Sequence, residues 1–277
     1  MSGLCEKIAQ LRERVRQQRP LLHHITNFVV MNDTANVTLH IGGLPVMAHA
    51  REEVAEMVEA ADALVLNAGT LTSDRVESML VAGRKANELG IPVVLDPVGA
   101  GATSLRTESN LRLLNELRIA VVRGNSGEIG ALTGLGGVVK GVETMVEVEE
   151  PEEVAKALAR RYGLTTAIAG PRDIVTDGQR VVAVDNGHPM LKTITGTGCA
   201  ATTMIAAFAA VEDDYVLAAA AGLVCFGLAA ELAAAQARGP ASFKVALFDA
   251  IYNLSTEQIL KGGRVQYLHR RVLEAHG

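Results

Sequence analysis

Four short aliphatic runs alternate with longer segments of helical period, and this alternation is what most restricts the fold. The runs are Leu64 to Asn67 (LVLN), Pro92 to Asp96 (PVVLD), Ile119 to Val122 (IAVV) and Thr165 to Ala169 (TTAIA). They are continuously apolar rather than alternating, as expected of strands covered on both faces. Between them, Thr72 to Leu89, Leu105 to Leu117 and Pro151 to Tyr162 place apolar residues three and four apart among charges, the pattern of helices that bury one side. A β-α-β-α order predicts an α/β fold with a central, mostly parallel sheet and helices on both faces. From Thr197 to Ala237 the pattern changes to alanine-rich helix, whose small side chains predict close helix packing in the core. The apolar run from Val216 to Ala230 stops at Glu231, short of the roughly 20 residues a bilayer span needs, and reads as a buried helix. Gly134 to Glu150 reads as a loop with a short helix. No linker-like or low-complexity tract divides the chain, so residues 1–277 are expected to form a single domain.

Composition matters for what it excludes. Lys and Arg number 26 against 31 Asp and Glu, and aromatic residues are 3% with no Trp, so the chain lacks both the basic excess and the stacking platforms of a nucleic-acid binder. Its cysteines, Cys5, Cys199 and Cys225, are odd in number and widely spaced, which suggests neither a disulfide framework nor a zinc knuckle and fits a reducing cytoplasm. The first twenty residues carry charges throughout, unlike a secretory leader. His23 and His24, adjacent on an expected strand, would point to opposite faces and could not share a metal.

Ligands of open parallel sheets bind beyond the carboxyl ends of the strands, and several polar motifs fall there. Asp96 ends one strand and leads into Pro97-Val98-Gly99-Ala100-Gly101. It could hold Mg²⁺ near a phosphate or simply open a tight turn. Arg123-Gly124-Asn125-Ser126-Gly127-Glu128 follows another strand. Asn125 with Glu128 has the outline of a helix cap with a reciprocal acid, yet Arg123 and Glu128 would then flank a helix N-terminus, where anions bind. Thr195-Gly196-Thr197-Gly198-Cys199 precedes the alanine-rich helix and offers consecutive backbone N–H groups to a phosphoryl group. In the first turn of that helix the dipole can lower the Cys199 thiol and raise its reactivity; a buried structural thiol is the alternative, against which the surrounding glycines weigh. Asn27 and Met47, at strand ends near the start, could present an amide and a soft apolar surface to a small heterocycle, or could be simply a turn Asn and a core Met. Gly196-x-Gly198-x-x-Ala201 also fits a loose dinucleotide fingerprint, which keeps a nicotinamide-dependent oxidoreductase as an alternative, but no strand with a terminal acid follows at the expected distance.

Five motifs in order carry a resemblance: HHITNFVVMNDTANVTLHIGGLPVMAHA (His23 to Ala50), LNAGTL (Leu66 to Leu71), VLDPVGAGAT (Val94 to Thr103), VRGNSGEIGAL (Val122 to Leu132) and ITGTGCAATTMIAAF (Ile194 to Phe208). With these the chain resembles the hydroxyethylthiazole kinases of the ribokinase-like superfamily over nearly its whole length. The resemblance implies Mg²⁺-dependent transfer of a phosphoryl group from ATP to the hydroxyl of 4-methyl-5-(2-hydroxyethyl)thiazole, in thiamine salvage. It also implies a homotrimer with sites between subunits. Carried onto this sequence, it puts Asn27, Met47 and Gly196 at the thiazole and Arg123, Asn125 and Ala169 at ATP. Asp96 and Glu128 fall at the metal, and Gly196, Thr197, Gly198 and Cys199 at the reacting groups, with Cys199 where most relatives in the superfamily carry an Asp. Ala169 departs from the Thr or Ser that related sequences often have, so only a backbone contact to ATP could remain there. A kinase acting on another small alcohol, such as a hydroxymethylpyrimidine or a pyridoxal-like ring, and an idle thiazole or nucleotide sensor are the other readings of the same motifs.

Overall fold

The computed structural model describes residues 2–134, 138–140, 143–146 and 151–268. The chain begins α1 (Ser2–Gln18), β1 (Leu21–Ile25), α2 (Met31–Ile41), β2 (Leu44–Val46), α3 (Val54–Glu59), β3 (Ala63–Asn67) and α4 (Ser73–Leu89). It continues β4 (Val93–Asp96), α5 (Ser104–Glu116), β5 (Val121–Asn125), α6 (Ser126–Thr133), β6 (Val138–Lys140), β7 (Glu143–Val146), α7 (Pro151–Tyr162) and β8 (Thr165–Ala169). After β9 (Asp173–Thr176), β10 (Val181–Val184) and a 3₁₀ turn at Pro189–Thr193 come α8 (Thr197–Ala209), α9 (Tyr215–Ala234), α10 (Pro240–Asn253), α11 (Thr256–Gly262) and β11 (Val265–Tyr267). The boundaries follow local chemistry. Thr72 and Thr103 cap α4 and α5 by accepting from Arg75 N and Arg106 N, and Gly42 and Gly90 end α2 and α4 in the left-handed conformation.

Nine strands form one sheet in the order β11-β10-β9-β8-β5-β4-β3-β1-β2. The six from β2 to β8 are parallel, while β9, β10 and β11 add an antiparallel flank. Strand alternation feeds two cores. Val65, Val94, Val121 and Ala167 join the helical layer that contains α8 and α9, and Leu64, Leu66, Val93, Leu95, Val122 and Ile168 face the layer of α4 to α7. The predicted doubly covered parallel sheet is therefore present.

The alanine-rich region forms the buried pair α8 and α9. A Cβ on Gly222 would lie 2.7 Å from the Ile205 nitrogen, so the two backbones meet where only glycine fits. By length and composition α9 could cross a membrane, but it is enclosed by the rest of the protein. The segment after Gly134 differs from expectation. Its described parts, β6 and β7, pair antiparallel rather than forming a helix, and the rest of that expectation lies outside the described residues.

His23 and His24 both lie on β1 and point apart, as the strand period requires. His23 Nε2 meets Ala48 O at 2.8 Å and His24 Nε2 meets Thr38 Oγ1 at 3.2 Å. Thr38 already donates its hydroxyl proton to Thr34 O, so its oxygen accepts from His24 Nε2–H and leaves Nδ1 bare. Protonating that buried nitrogen would bury an N–H with no acceptor, and burial lowers His24 to about 3. Between pH 6.5 and 3 the unfolded chain binds a proton the folded one does not, so stability is full above pH 6.5 and falls as pH drops. By pH 4.5 this cost reaches about 2–3 kcal/mol. His24→Gln is expected to flatten this limb in urea midpoints measured from pH 7 to 4.5; parallel curves for variant and parent would refute the assignment.

Candidate active site

The carboxyl ends of β1, β3, β4, β5 and β8 and the first turn of α8 converge on one region. In the parallel register Asn67 lies beside Asp96 and Asn125 beside Ala169, which brings chemistry from distant parts of the sequence to one sheet edge. Asp96 is buried and accepts from Asn67 Nδ2 at 2.6 Å. Burial pushes its carboxyl above the usual range, against the pull of the Arg123 charge.

Asn125 caps α6 as expected. Its side chain accepts from Glu128 N at 2.8 Å, and Glu128 Oε2 accepts from Asn125 N at 2.9 Å. Glu128 also reaches across to the loop after β4, where Oε1 accepts from Gly99 N at 2.8 Å. The same carboxylate therefore closes a cap and ties two strand ends together. Burial, and next the charge of Asp96, raise it to about 7. Two buried acids, one of them raised by the other's charge, with Arg123 as the nearby cation, are a donor set suited to a divalent ion. Among the described residues no group of three or more His, Cys, Asp or Glu is arranged to hold a metal. The fit is thus to Mg²⁺, which keeps waters and phosphate oxygens and needs only one or two carboxylates.

Gly196, at φ +84°, turns the chain into α8 in a conformation that favours glycine. Unlike α4, α5 and α6, this helix has no side-chain cap, so the N–H groups of Thr197, Gly198 and Cys199 lack the partner a capping side chain would give. Arg123 lies against this turn, since a Cβ on Gly198 would come within 2.6 Å of its Nη1. An uncapped helix start with a guanidinium beside it suits a phosphoryl group. The Thr197 hydroxyl is engaged elsewhere, donating to Leu191 O at 3.1 Å.

The lowering that the helix dipole could give the Cys199 thiol does not occur. Burial raises it far above its ordinary value and the neighbouring Asp96 carboxylate raises it further, so these outweigh the helix dipole and the thiol stays neutral. Its sulfur accepts from Asn67 Nδ2 at 3.1 Å and Asn27 Nδ2 at 3.7 Å. The Asn27 amide is engaged at both ends: Nδ2 donates to Asn67 Oδ1 at 2.8 Å, and Oδ1 accepts from Val29 N and Val30 N. Met47 is half-buried just beyond β2. Ala169 ends β8, and the next residue, Gly170, donates its N–H to Asp173 Oδ1 at 2.9 Å.

Known proteins match this sequence and this fold. The model of the hydroxyethylthiazole kinase family matches residues 12–257. The chain belongs to the hydroxyethylthiazole kinase family. A hydroxyethylthiazole kinase of Chloroflexus aurantiacus is 76% identical over 262 residues, covering 95% of this chain and 97% of that one. The solved structure of a hydroxyethylthiazole kinase protein from Pyrococcus horikoshii superposes with a TM-score of 0.88 at 46% identity, over 95% of this chain and 99% of that chain. A ribokinase-like superfamily protein from Enterococcus faecalis, at 13% identity and TM-score 0.61 over 85% of this chain and 87% of its own, shares the fold.

Within this member of the hydroxyethylthiazole kinase family, motif reading missed two residues of the candidate site. Asn67 binds Asp96, Asn27 and Cys199 at once, and its signal was the polar residue that ends LVLN. Asp173 holds the turn after Ala169 and is raised to about 6 by burial, a property no local pattern reveals.

Proposed function

We infer that this chain transfers the γ-phosphoryl group of ATP to the side-chain hydroxyl of 4-methyl-5-(2-hydroxyethyl)thiazole, an activity of thiamine salvage. The observation that carries this reading is the convergence of Asp96, Glu128 and Arg123 on the uncapped start of α8, in a chain of the hydroxyethylthiazole kinase family. The alcohol oxygen forms a bond to the γ-phosphorus as the bond to the β-bridging oxygen breaks, ADP leaves, and the hydroxyl proton departs late to the transferred group's oxygens and from there to solvent. Arg123 and the N–H groups of Thr197, Gly198 and Cys199 hold the transferring group's oxygens, where charge stabilisation dominates the rate. Gly196 shapes that turn. Asp96 and Glu128 would hold Mg²⁺, which when bound offsets charge on the transferred and leaving phosphates. Asn125 and the backbone at Ala169 border the nucleotide, and Asn27 and Met47 border the thiazole, with Asn27 acting through the placement of an amide already engaged at both ends.

A neutral Cys199 orients the hydroxyl and does not take its proton, which in a loose transition state leaves late and needs no strong base. Cys199→Ala is accordingly expected to lower turnover by about tenfold or less, because losing a general base costs about a hundredfold or more. Saturating turnover of the variant decides between the two roles. Homotrimer formation follows from the resemblance, and the mass of the protein in solution tests it. The decisive assay incubates the protein with ATP, Mg²⁺ and hydroxyethylthiazole, with hydroxymethylpyrimidine and pyridoxal alongside, and reads the products by mass spectrometry. Phosphothiazole as the preferred product is expected; preference for another alcohol would overturn the substrate, and no transfer at all would overturn the activity.

A further inference from the structure

Asn27 and Met47 lie on loops that leave neighbouring strands. The β1–β2 ladder runs Leu21↔Leu44, Leu22↔Pro45 and His23↔Val46 and then stops, although β1 continues beside β3 as far as Ile25↔Leu66. The chain carrying Thr26 and Asn27 therefore follows β3, and the chain carrying Met47 departs from it. The Asn27 loop is pinned on its β3 side. Phe28 N donates to Thr70 Oγ1 at 3.2 Å, Arg75 Nη1 donates to the same oxygen at 3.2 Å, and the Arg75 guanidinium stacks 4.2 Å from the centre of the Phe28 ring.

One imidazole spans the gap on the other side. His49 Nε2 lies 3.1 Å from Thr26 N, and His49 Nδ1 lies 3.3 Å from Met47 O. Nε2 also lies 3.2 Å from Thr26 O. Thr26 N–H can only donate, and the tautomer in which Nε2 accepts from it leaves the ring proton on Nδ1 for Met47 O, so that both nitrogens are bonded. This is the neutral form, which burial favours. Where the ladder has ended, the ring supplies the two backbone bonds that fix one loop against the other. His23 Nε2, at 2.8 Å from Ala48 O, holds the intervening residue to β1.

We propose that His49 is a positioning residue for the acceptor alcohol: its imidazole sets the separation between the Asn27 and Met47 loops, and with it the fit of the heterocycle between them. The inference rests on the thiazole reading of Asn27 and Met47. His49 is half-buried, beyond the end of the paired strands, so the ladder and both cores persist without it. Its effect falls first on the acceptor side, because the groups assigned to ATP lie on β5, β8 and α8 and the Asn27 amide that meets Cys199 is held independently by Asn67 Oδ1, Val29 N and Val30 N.

The test compares the wild-type protein with His49→Phe, which keeps a ring but no nitrogen, and His49→Gln, whose amide can again accept from Thr26 N–H and donate to Met47 O. His49→Phe is expected to raise KM for hydroxyethylthiazole about tenfold, the loss of one or two hydrogen bonds' worth of alignment. kcat, KM for ATP and the thermal midpoint are expected to stay within experimental scatter, and His49→Gln to recover most of the lost affinity. An unchanged KM for the alcohol in His49→Phe, a parallel rise in KM for ATP, or a Gln variant no better than Phe would overturn the assignment. A wild-type protein that does not phosphorylate hydroxyethylthiazole would overturn the substrate reading, and this inference with it, before any variant is compared.

Discussion

Asp96→Asn is expected to lower kcat by about 10²–10³-fold while leaving the thermal midpoint unchanged or raised. Asparagine has the shape of aspartate, and its carbonyl oxygen can accept the bond that Asn67 Nδ2 now makes at 2.6 Å, so packing at the end of β4 survives. What disappears is one of two buried negative charges, with the carboxylate oxygen that faces Cys199 and Thr202. Glu128 stands at about 7 because it is buried and because Asp96 repels its ionised form. Removing that repulsion eases Glu128, so the fold gains what the site loses, an exchange common where function requires charges that folding disfavours. Turnover and thermal melting of the same preparation check the prediction together. A midpoint lowered by several degrees alongside lost activity would assign Asp96 to the scaffold instead of the chemistry.

Much of the sheet was readable because buried parallel strands are nearly pure apolar runs. TTAIA became β8 and Pro151 to Tyr162 became α7 with the bounds read from sequence. The antiparallel flank was not readable. Its strands DIVT, VVAV and VQY have three or four residues each and derive their stability from pairing with β8 and one another. The site divides along the same line. Asp96, Asn125 and Glu128 could be picked out because polar residues interrupt apolar runs at strand ends, and the Asn125–Glu128 cap needs only three residues of local sequence. Asn67 has the same local signature, but its importance depends on β3 lying between β1 and β4. The Cys199 thiol shows the limit most clearly. The helix dipole that would lower it is local to α8, whereas the burial and the carboxylate that raise it come from the sheet and from a residue about a hundred positions earlier.

Gly198→Ala is expected to reduce turnover by about a hundredfold, the scale of loss for a misplacement of about 1 Å in a catalytic group. The helix itself does not oppose the change, because Gly198 lies inside α8 without a positive φ and alanine is the better helix former by about 1 kcal/mol. The obstruction is Arg123. The new Cβ would sit 2.6 Å from Nη1 and 3.6 Å from Cζ, so the guanidinium must retreat from the turn. Its retreat removes positive charge from the place proposed for the transferring group, while the melting temperature is expected to hold. A double-mutant cycle with Arg123→Lys separates the causes: if alanine acts by displacing Arg123, the second substitution adds little to the first. Additive losses would instead place the damage in the N–H groups of the turn. Gly196→Ala provides the contrast, since there the backbone is at φ +84° and the Cβ would meet Val30 Cγ1 at 2.6 Å, so stability falls together with activity. Two glycines separated by one residue are thus required for different reasons, the first by its own backbone and the second by an arginine from β5.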